Sequence, residues 1–163
     1  MLPVEPPQLD VRFVPDKFVP KSWGWENWLH NDKDSNYCLK QLFIKAGQKT
    51  SIHRHPVKDE AIHCHSGVCY IACQAPPEAP AAVRTHAAAY GPFIYTIKPG
   101  QTVHIKAGAW HCLHAKEDTL LYEGSTFHSD DDVERRDSWK EEDDVRTRRQ
   151  EPDPDTTQAC GGE

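Results

Sequence analysis

The sequence predicts an all-β protein, folded as an antiparallel sandwich or barrel. Short segments rich in β-branched, aromatic and aliphatic residues follow one another over most of the chain. Turn signals such as Ser66-Gly67 and Pro99-Gly100 separate these segments, and closely spaced strands with such turns are typical of antiparallel all-β folds. Helical periodicity is absent before about residue 130, so helices are not expected in the main body.

Nine segments have the composition of strands. They span residues 23–30, 37–45, 50–53, 60–65, 68–73, 93–98, 102–105, 112–114 and 119–122. Residues 74–92 form a proline- and alanine-rich insertion between two of them. We expect a surface loop there, with a helical turn at its alanines as the alternative.

The two ends of the chain differ from the middle. Residues 1–20 contain five prolines, a density that forbids a helix, so we expect an extended arm lying on the domain or on a partner subunit. Residues 21–128 form the predicted barrel domain. Residues 129–163 are an acidic tail, in which we expect a short charged helix followed by disorder from about residue 150.

Composition excludes several classes of partner. The 163-residue chain has a formal charge of −6, but its tail holds thirteen acidic and six basic residues, which leaves residues 1–128 nearly neutral at +1. Such a body offers no basic surface for nucleic acid. No run approaches the roughly 20 apolar residues of a membrane span, and the first twenty residues lack the apolar stretch of a signal peptide. We therefore expect a cytoplasmic protein whose six cysteines are free thiols.

Three histidines from two separate segments of the chain could converge on one site. His53 and His55 are two residues apart, so on a strand both side chains point to the same face. Glu60 follows shortly after, and His111 stands at the end of a later strand that a barrel could bring beside them. Three imidazoles and a carboxylate suit a divalent transition metal such as Mn, Fe, Ni or Zn, with positions left for a substrate. Spacing alone also allows chance in a histidine-rich chain.

The first of these segments matches the first motif of the cupins. That motif is G-x5-HxH-x4-E-x6-G, and its named positions are occupied here by Gly47, His53, His55, Glu60 and Gly67. The chain therefore resembles a cupin over roughly residues 21–128. The resemblance implies a double-stranded β-helix, the cupin jelly-roll barrel, with a metal inside it.

The second cupin motif, G-x5-PxG-x2-H-x3-N, is matched in part. Gly100, Gly108 and His111 occupy their positions, whereas Lys106 replaces the proline and Ala115 the asparagine. Neither replaced residue is a ligand in the family. The resemblance implies four metal ligands: His53, His55, Glu60 and His111.

Two features resemble cupins that isomerise sugars. The opening 21–26 and the late segment from Glu123 through Ser125 to the acidic run 130–132 are similar to the cupin domain of type II mannose-6-phosphate isomerases. D-lyxose isomerases share a lysine between the HxH pair and the glutamate, at the position of Lys58. In that family the lysine and the late glutamate are proposed acid/base groups. The resemblance therefore implies proton transfer by Lys58 and Glu123.

The implied activity is aldose–ketose isomerisation of a sugar or sugar phosphate through an enediol. Such a reaction needs a base to move a proton between neighbouring carbons and a cation to stabilise the developing negative charge. A nearby cation would lower the pKa of Lys58. Two alternative functions stay open, an Fe(II)-dependent cupin dioxygenase and a non-catalytic sugar-binding cupin. Two structural roles also stay open, a solvated loop lysine for Lys58 and an ion-paired strand-end carboxylate for Glu123.

Strand alternation sorts the neighbouring side chains. Counting from Glu60 places Ile62 and Cys64 on the metal face of their strand, with Cys64 as a wall residue of the cavity, and His63 on the other face. His104 stays ambiguous by the same counting. Three tryptophans near the start of the domain are expected in the core or at a subunit interface rather than as a sugar platform; these are Trp23, Trp25 and Trp28.

Two properties of the expected complex complete the prediction. A phosphorylated substrate would need basic groups near the cavity, and the candidates are Arg54, Lys58, Lys106 and Arg84. Because small cupins commonly pair through an edge strand and an N-terminal arm, we also expect a homodimer.

Overall fold

The computed structural model describes residues 13–75 and 78–139. Over these residues the chain forms eleven strands, one α-helix and one short 3-10 helix, and the predicted all-β class is confirmed. The elements are β1 (Lys17–Lys21), β2 (Gly24–Asp32), β3 (Tyr37–Ile44), β4 (Ile52–Arg54), β5 (Glu60–Ser66), β6 (Cys69–Cys73), α1 (Ala81–Tyr90), β7 (Phe93–Ile97), β8 (Thr102–Ile105), β9 (His111–Ala115), β10 (Thr119–Ser125), the 3-10 helix (Asp130–Asp132) and β11 (Glu134–Arg136).

The strands form two antiparallel sheets. Within the described residues one sheet has the order β1-β2-β3-β10-β5-β8 and the other β11-β4-β9-β6-β7. Strands distant in sequence therefore lie side by side, with β10 inserted between β3 and β5. The predicted jelly-roll architecture is confirmed.

The inner faces of the two sheets carry the apolar core. On β3, Leu42 and Ile44 are buried and alternate with more exposed positions, as the two-residue period of a strand requires. They pack in one cluster with Leu121 of β10 and Ile71 of β6. Each such side chain contributes about 1.5–3 kcal/mol when fully buried. Lys40 occupies the same inner face of β3, and it marks the place where the apolar core gives way to a polar cavity.

Part of the predicted N-terminal arm belongs to the barrel's own sheet. β1 pairs along its length with β2 and forms the edge of the six-stranded sheet. Pro20 lies within β1, where its missing N–H is tolerated because an edge strand has one unpaired side. Residues 1–12 lie outside the described residues.

The predicted C-terminal tail begins with two short elements rather than one charged helix. The hydroxyl of Ser129 accepts a hydrogen bond from the backbone N–H of Asp131 at 3.3 Å, which caps the 3-10 helix. β11 then pairs antiparallel with β4 and extends the five-stranded sheet. Residues 140–163, where disorder was expected from about residue 150, lie outside the described residues.

The proline- and alanine-rich insertion contains a helix of ten residues, α1, which is longer than the predicted turn. It begins after Pro80 and ends before Gly91, and alanine, the best helix former, accounts for its helicity. In the part of the chain that the structure describes, no helix is long and apolar enough to cross a membrane.

Replacing Gly67, the turn residue between β5 and β6, should destabilise the barrel. Its φ is +82°, and an added Cβ would lie 2.5 Å from the carbonyl oxygen of Asp118. Gly67→Ala combines left-handed strain with a backbone clash, so we expect a loss of about 2 kcal/mol or more in the free energy of unfolding. Gly100→Ala is the matched control, since φ there is +85° with open space around the Cβ. Equal losses for the two variants in chemical denaturation would contradict the clash.

Candidate functional site

The three histidines predicted as ligands lie on adjacent parts of one sheet. β4 and β9 are neighbours, and their register pairs His53 with His111. His55 follows β4 directly. The ring centroid of His53 lies 4.3 Å from that of His111 and 5.3 Å from that of His55. The ring centroids of His55 and His111 are 6.2 Å apart. Strand pairing thus brings the two histidine segments together.

Each of these rings is anchored through the same nitrogen. Nδ1 faces a backbone carbonyl oxygen in all three cases: that of Ser51 for His53 at 2.9 Å, of Asp132 for His55 at 2.7 Å, and of Ala109 for His111 at 2.9 Å. A carbonyl can only accept, so these partners assign the proton of a neutral ring to Nδ1. Nε2 is then the unprotonated nitrogen, which is the form in which imidazole binds a metal.

Glu60, the first residue of β5, stands between a histidine and a lysine. Its Oε1 lies 3.0 Å from Nε2 of His111, and its Oε2 lies 2.6 Å from Nζ of Lys58. A neutral His111 already donates its single ring proton to a carbonyl through Nδ1. Its contact with the carboxylate therefore needs a second proton or another cation between nitrogen and oxygen.

The donor set fits a divalent transition metal in its chemistry. Imidazole nitrogens and a carboxylate oxygen are ligands that such metals prefer. The side chains do not form a complete coordination geometry. Within residues 13–75 and 78–139, no group of three or more His, Cys, Asp or Glu side chains is arranged to hold an ion. The contact between Glu60 and His111 engages two of the donor atoms with each other.

Lys58 is a buried ammonium group held by two carboxylates. Its Nζ lies 2.6 Å from Oε2 of Glu60 and 2.7 Å from Oε1 of Glu123, and its side chain is 2% exposed. The hydroxyl of Ser125 donates to the same oxygen of Glu123 at 3.0 Å. Lys58 is therefore not a solvated loop lysine, whereas Glu123 is ion-paired at its place on β10.

Mutual contact keeps these groups charged. Burial by itself would lower the pKa of Lys58, but the carboxylates of Glu123 and Glu60 outweigh it and raise the pKa above its ordinary value. Burial would raise the pKa of Glu123, but the ammonium groups of Lys58 and Lys40 lower it to about 2. The pKa of Glu60 is also lowered, because contacts with His111 and Lys58 outweigh burial. The lowering of the Lys58 pKa that a cation would cause is thus opposed by two carboxylates.

Asp132 holds the loop that carries the second histidine and the lysine. Its two carboxylate oxygens accept the backbone N–H groups of Val57 at 2.9 Å and Lys58 at 2.7 Å. Its carbonyl oxygen is the partner of His55. The acidic run 130–132, a feature that also resembles the sugar-isomerase cupins, therefore positions two predicted site residues.

The wall of the cavity opposite the three histidines contains charged and aromatic side chains that were not among the predicted site residues. Nζ of Lys40 lies 3.8 Å from Glu26, 3.8 Å from Glu123 and 4.6 Å from the ring centroid of Trp28. Nε1 of Trp28 donates to Glu26 at 2.7 Å, and His128 packs edge-on against the same ring at 4.8 Å. Lys40 occupies a position of β3 where strand alternation predicts an apolar side chain, and this is the sequence signal that could have identified this wall.

The histidines, the buried ion pairs and this wall line one cavity of about 370 Å³. Pockets for small molecules begin at about 300 Å³, so the volume suits a compact ligand. More exposed cationic side chains also line it, namely those of Lys21, Lys49 and Arg135. The cavity thus joins a polar, titratable interior to a basic outer rim.

Comparison with known proteins identifies the fold. No family model matches the sequence, and no curated protein matches it either. Among solved structures it is similar to the capsular polysaccharide assembling protein CapF from Staphylococcus aureus, with a TM-score of 0.57 and 16% identity over 73% of this chain and 33% of that one. It is also similar to oxalate decarboxylase from Bacillus subtilis, with a TM-score of 0.59 and 13% identity over 76% of this chain and 30% of that one.

A third neighbour with the same fold is matched over most of its own length. KdgF from Halomonas sp. is similar with a TM-score of 0.51 and 14% identity, over 66% of this chain and 81% of that one. All three neighbours are cupin-fold proteins. This chain has the cupin fold. It spans about a third of the length of CapF and of oxalate decarboxylase.

The side chains of β5 lie on the faces of the strand that alternation predicted. Ile62 is buried and lines the cavity, and His63 lies on the other face and contacts the hydroxyl of Thr102 at 2.9 Å. Cys64 shares the inner face of Ile62 but is buried in the core cluster and does not line the cavity. His104, which the sequence left ambiguous, is exposed on the surface and pairs with Asp59. Neither outward-facing histidine lines the cavity.

The three tryptophans of the cupin's first strands have three different surroundings. Trp23 packs against the core cluster, as predicted, and also lines the cavity. Trp25 stacks on Phe43, with ring centroids 5.5 Å apart. Trp28 lines the cavity instead of the core, and the ammonium groups of Lys17 and Lys40 lie 4.5 Å and 4.6 Å from its ring centroid.

Of the four basic residues considered for a phosphate, only Lys58 lines the cavity. Arg54 faces away from it and pairs with Glu134 at 2.6 Å. Lys106 lies in an exposed turn and Arg84 on α1. The basic groups that do reach the cupin cavity from its rim were not among the predicted ones.

Acid should destabilise the protein, with no metal added, from about pH 6.5 downward. Burial, reinforced by Lys40 and Lys58, lowers the pKa of His128 from 6.5 to about 3, and the pKa of Glu123 is lowered from 4.5 to about 2. The unfolded chain therefore binds more protons than the folded chain in this range, so the free energy of unfolding falls as the pH falls. Urea denaturation from pH 7 to pH 4 measures this loss.

Substitution of one histidine isolates its share of the acid sensitivity. His128→Gln should remove part of the loss between pH 6.5 and pH 4.5, because that side chain no longer takes up a proton on unfolding. His65→Gln is the control, since His65 is exposed on the outer face of β5. A pH profile that is flat over this range in the unaltered protein would contradict the prediction.

Proposed function

We propose that this chain is a metal-dependent cupin that interconverts the aldose and ketose forms of a sugar or sugar phosphate through an enediol. One observation carries the proposal. The buried ammonium group of Lys58, bridged between Glu60 and Glu123 at 2.6 Å and 2.7 Å, lies beside three histidines in a cavity of small-molecule size. A buried acid and base in contact are the groups that proton transfer between two carbons requires.

The metal would be held by the four residues of the cupin motifs. The anchoring of each histidine through Nδ1 supports this, because it leaves the three Nε2 atoms as ligands. Mn, Fe, Ni and Zn all suit a set of nitrogen and carboxylate donors. When bound, such an ion would supply positive charge that stabilises the oxyanion developing on the substrate. The proposed ligands are His53, His55, Glu60 and His111.

The charges of the buried pair suggest one proton-transfer role for each residue. Glu123 is ionised because its pKa is lowered to about 2, so it can accept the proton from the carbon next to the carbonyl and return it to the neighbouring carbon. Lys58 is held as an ammonium, so it can donate a proton to the carbonyl oxygen and recover one from the adjacent hydroxyl. Each group ends the cycle in its starting form, and the substrate gains and loses no atoms.

The opposite wall of the cavity suits a polyhydroxylated ligand. Nδ1 of the buried His128 has no hydrogen-bond partner among the described residues, and such a nitrogen is satisfied by a hydroxyl group. Glu26 and Lys40 add an acceptor and a donor on the same wall. The structural neighbour CapF is named as a capsular polysaccharide assembling protein, a name consistent with a carbohydrate ligand for a protein that contains this fold.

The proposal is tested by incubation in D2O with mannose, lyxose, fructose and their phosphates. The metal-free protein is loaded in turn with Mn(II), Fe(II), Ni(II) or Zn(II), and the ion is removed by chelation before proton NMR. We expect deuterium at C2 of one aldose together with the matching ketose. The same protein without metal is the control, in which neither signal should appear.

Unchanged sugars with every metal, while metal content confirms loading, would contradict the isomerase. Oxygen consumption with Fe(II) would then support the dioxygenase alternative. Ligand binding without either reaction would support a sugar-binding cupin.

A further inference from the structure

The rim of the cavity contains one arginine whose position is set by strand pairing. β11 pairs with β4 so that Arg135 is the direct partner of His53. Cross-strand partners project from the same face of a sheet. Arg135 accordingly lines the cavity beside the histidine cluster, whereas its neighbours in sequence alternate to the other face.

Three other lysines near this site are already engaged. Lys58 and Lys40 contact the buried carboxylates, and Lys21 lies 3.7 Å from Glu26. In residues 13–75 and 78–139, by contrast, no carboxylate lies within 4.0 Å of the guanidinium of Arg135. An exposed cation that lines a cavity without an ion-pair partner is available to a ligand.

The surroundings of Arg135 favour an anionic group. Lys49 also lines the cavity, and the described residues show no ion pair for it either. The acidic side chain on this rim is Asp130, whose carboxylate lies 3.4 Å from Nε2 of His128. The carboxylates further inside are paired with lysines. In the described residues, Arg135 and Lys49 are therefore cations of the cavity lining for which no ion pair competes with an anionic ligand.

We propose that Arg135 binds an oxyanion of the substrate, a phosphate or a carboxylate, so that this cupin selects anionic over neutral carbohydrates. The planar guanidinium matches either group with two parallel hydrogen bonds. The carbonyl end of the sugar then lies at Lys58 and Glu123, and the anion lies at the rim. This proposal rests on the proposed function for the kind of substrate, although anion selection can be measured without turnover.

The test is calorimetric titration of the Mn(II)-loaded protein with mannose, mannose 6-phosphate and mannuronate. We expect at least one of the two anions to bind about tenfold or more tightly than mannose, since a charge-assisted pair contributes about that factor. Arg135→Gln should remove the preference, and Arg135→Lys should keep part of it. Whichever anion loses more affinity identifies the oxyanion. Raising the salt concentration should weaken anion binding and leave mannose binding unchanged.

Arg84→Gln is the matched control, because it removes the same charge from α1, away from the cavity. It should leave the preference for the anion unchanged. Equal affinity for mannose and both anions, no measurable binding of either anion, or a preference that survives in Arg135→Gln would each overturn the proposal. Circular dichroism and thermal unfolding establish that each variant is folded.

The two proposals fail in different ways. Anion selection that depends on Arg135, without deuterium exchange in any sugar, keeps the subsite and removes the isomerase. Isomerisation of neutral sugars, without preference for an anion, keeps the isomerase and removes the subsite.

Discussion

Replacing His111 by alanine is expected to abolish stoichiometric metal binding and turnover. The residue joins the two halves of the proposed site, since it pairs with His53 across the sheet and contacts Glu60 at 3.0 Å. Disturbing even the support of a metal ligand costs about 10- to 100-fold in affinity, so loss of the ligand itself should cost at least about 100-fold. Elemental analysis after dialysis and calorimetric titration with Mn(II) or Zn(II) measure the effect, and His53→Ala should behave in the same way.

The matched control for this variant lies on the same strand. His114 is also on β9 but is exposed on the opposite face, so His114→Ala should retain the metal. Circular dichroism and urea denaturation show whether each variant is folded. Metal content that is unchanged in both His53→Ala and His111→Ala would refute the ligand assignment.

Replacing Lys58 should have the second large effect, on both catalysis and stability. Loss of a positioned acid/base group typically lowers turnover by about 10²- to 10⁴-fold. Lys58→Met also leaves Glu60 and Glu123 buried without their shared cation, and breaking a buried ion pair costs about 3–5 kcal/mol. We therefore expect a lower free energy of unfolding together with loss of deuterium exchange at C2.

Three further variants separate the catalytic from the structural effect. Lys58→Arg keeps the buried charge but not the ammonium, so it should retain more stability than Lys58→Met and still lose exchange. Glu123→Gln should also lose exchange. Lys106→Met, in an exposed turn, is the control and should retain both. Exchange at the unaltered rate in folded Lys58→Arg and Glu123→Gln would remove both residues from the mechanism.

Much of the fold could be predicted because its signals are local. The two-residue alternation of buried side chains and the turn residues between strands are properties of short segments, and they located the nine predicted strands that the structure contains. β1 and β11 were missed, because Pro20 and the charged run 134–136 lack the composition of strands. Both lie at sheet edges, where pairing with a neighbour outweighs weak intrinsic preference.

In the candidate site, too, local sequence predicted the residues but not the contacts that strand pairing creates. Spacing and resemblance nominated the four ligand residues, Lys58 and Glu123, and the structure brings these side chains into one cavity; their roles stay predictions. The direction of the Lys58 pKa was not foreseen, because it depends on Glu123, which reaches Lys58 only through the pairing of β10 with β5. Local sequence carries no signal for a contact of that kind.

The sequence by itself determined the β class, the strand positions of the main body and the candidate metal ligands, since each depends on residue type and short spacing. Only the tertiary structure decided what surrounds them: Lys40 and Trp28 on the opposite wall, Asp132 beneath the loop and Arg135 at the rim. The physical reason is that charge, burial and reach depend on which strands become neighbours. In a jelly roll those neighbours are distant in sequence.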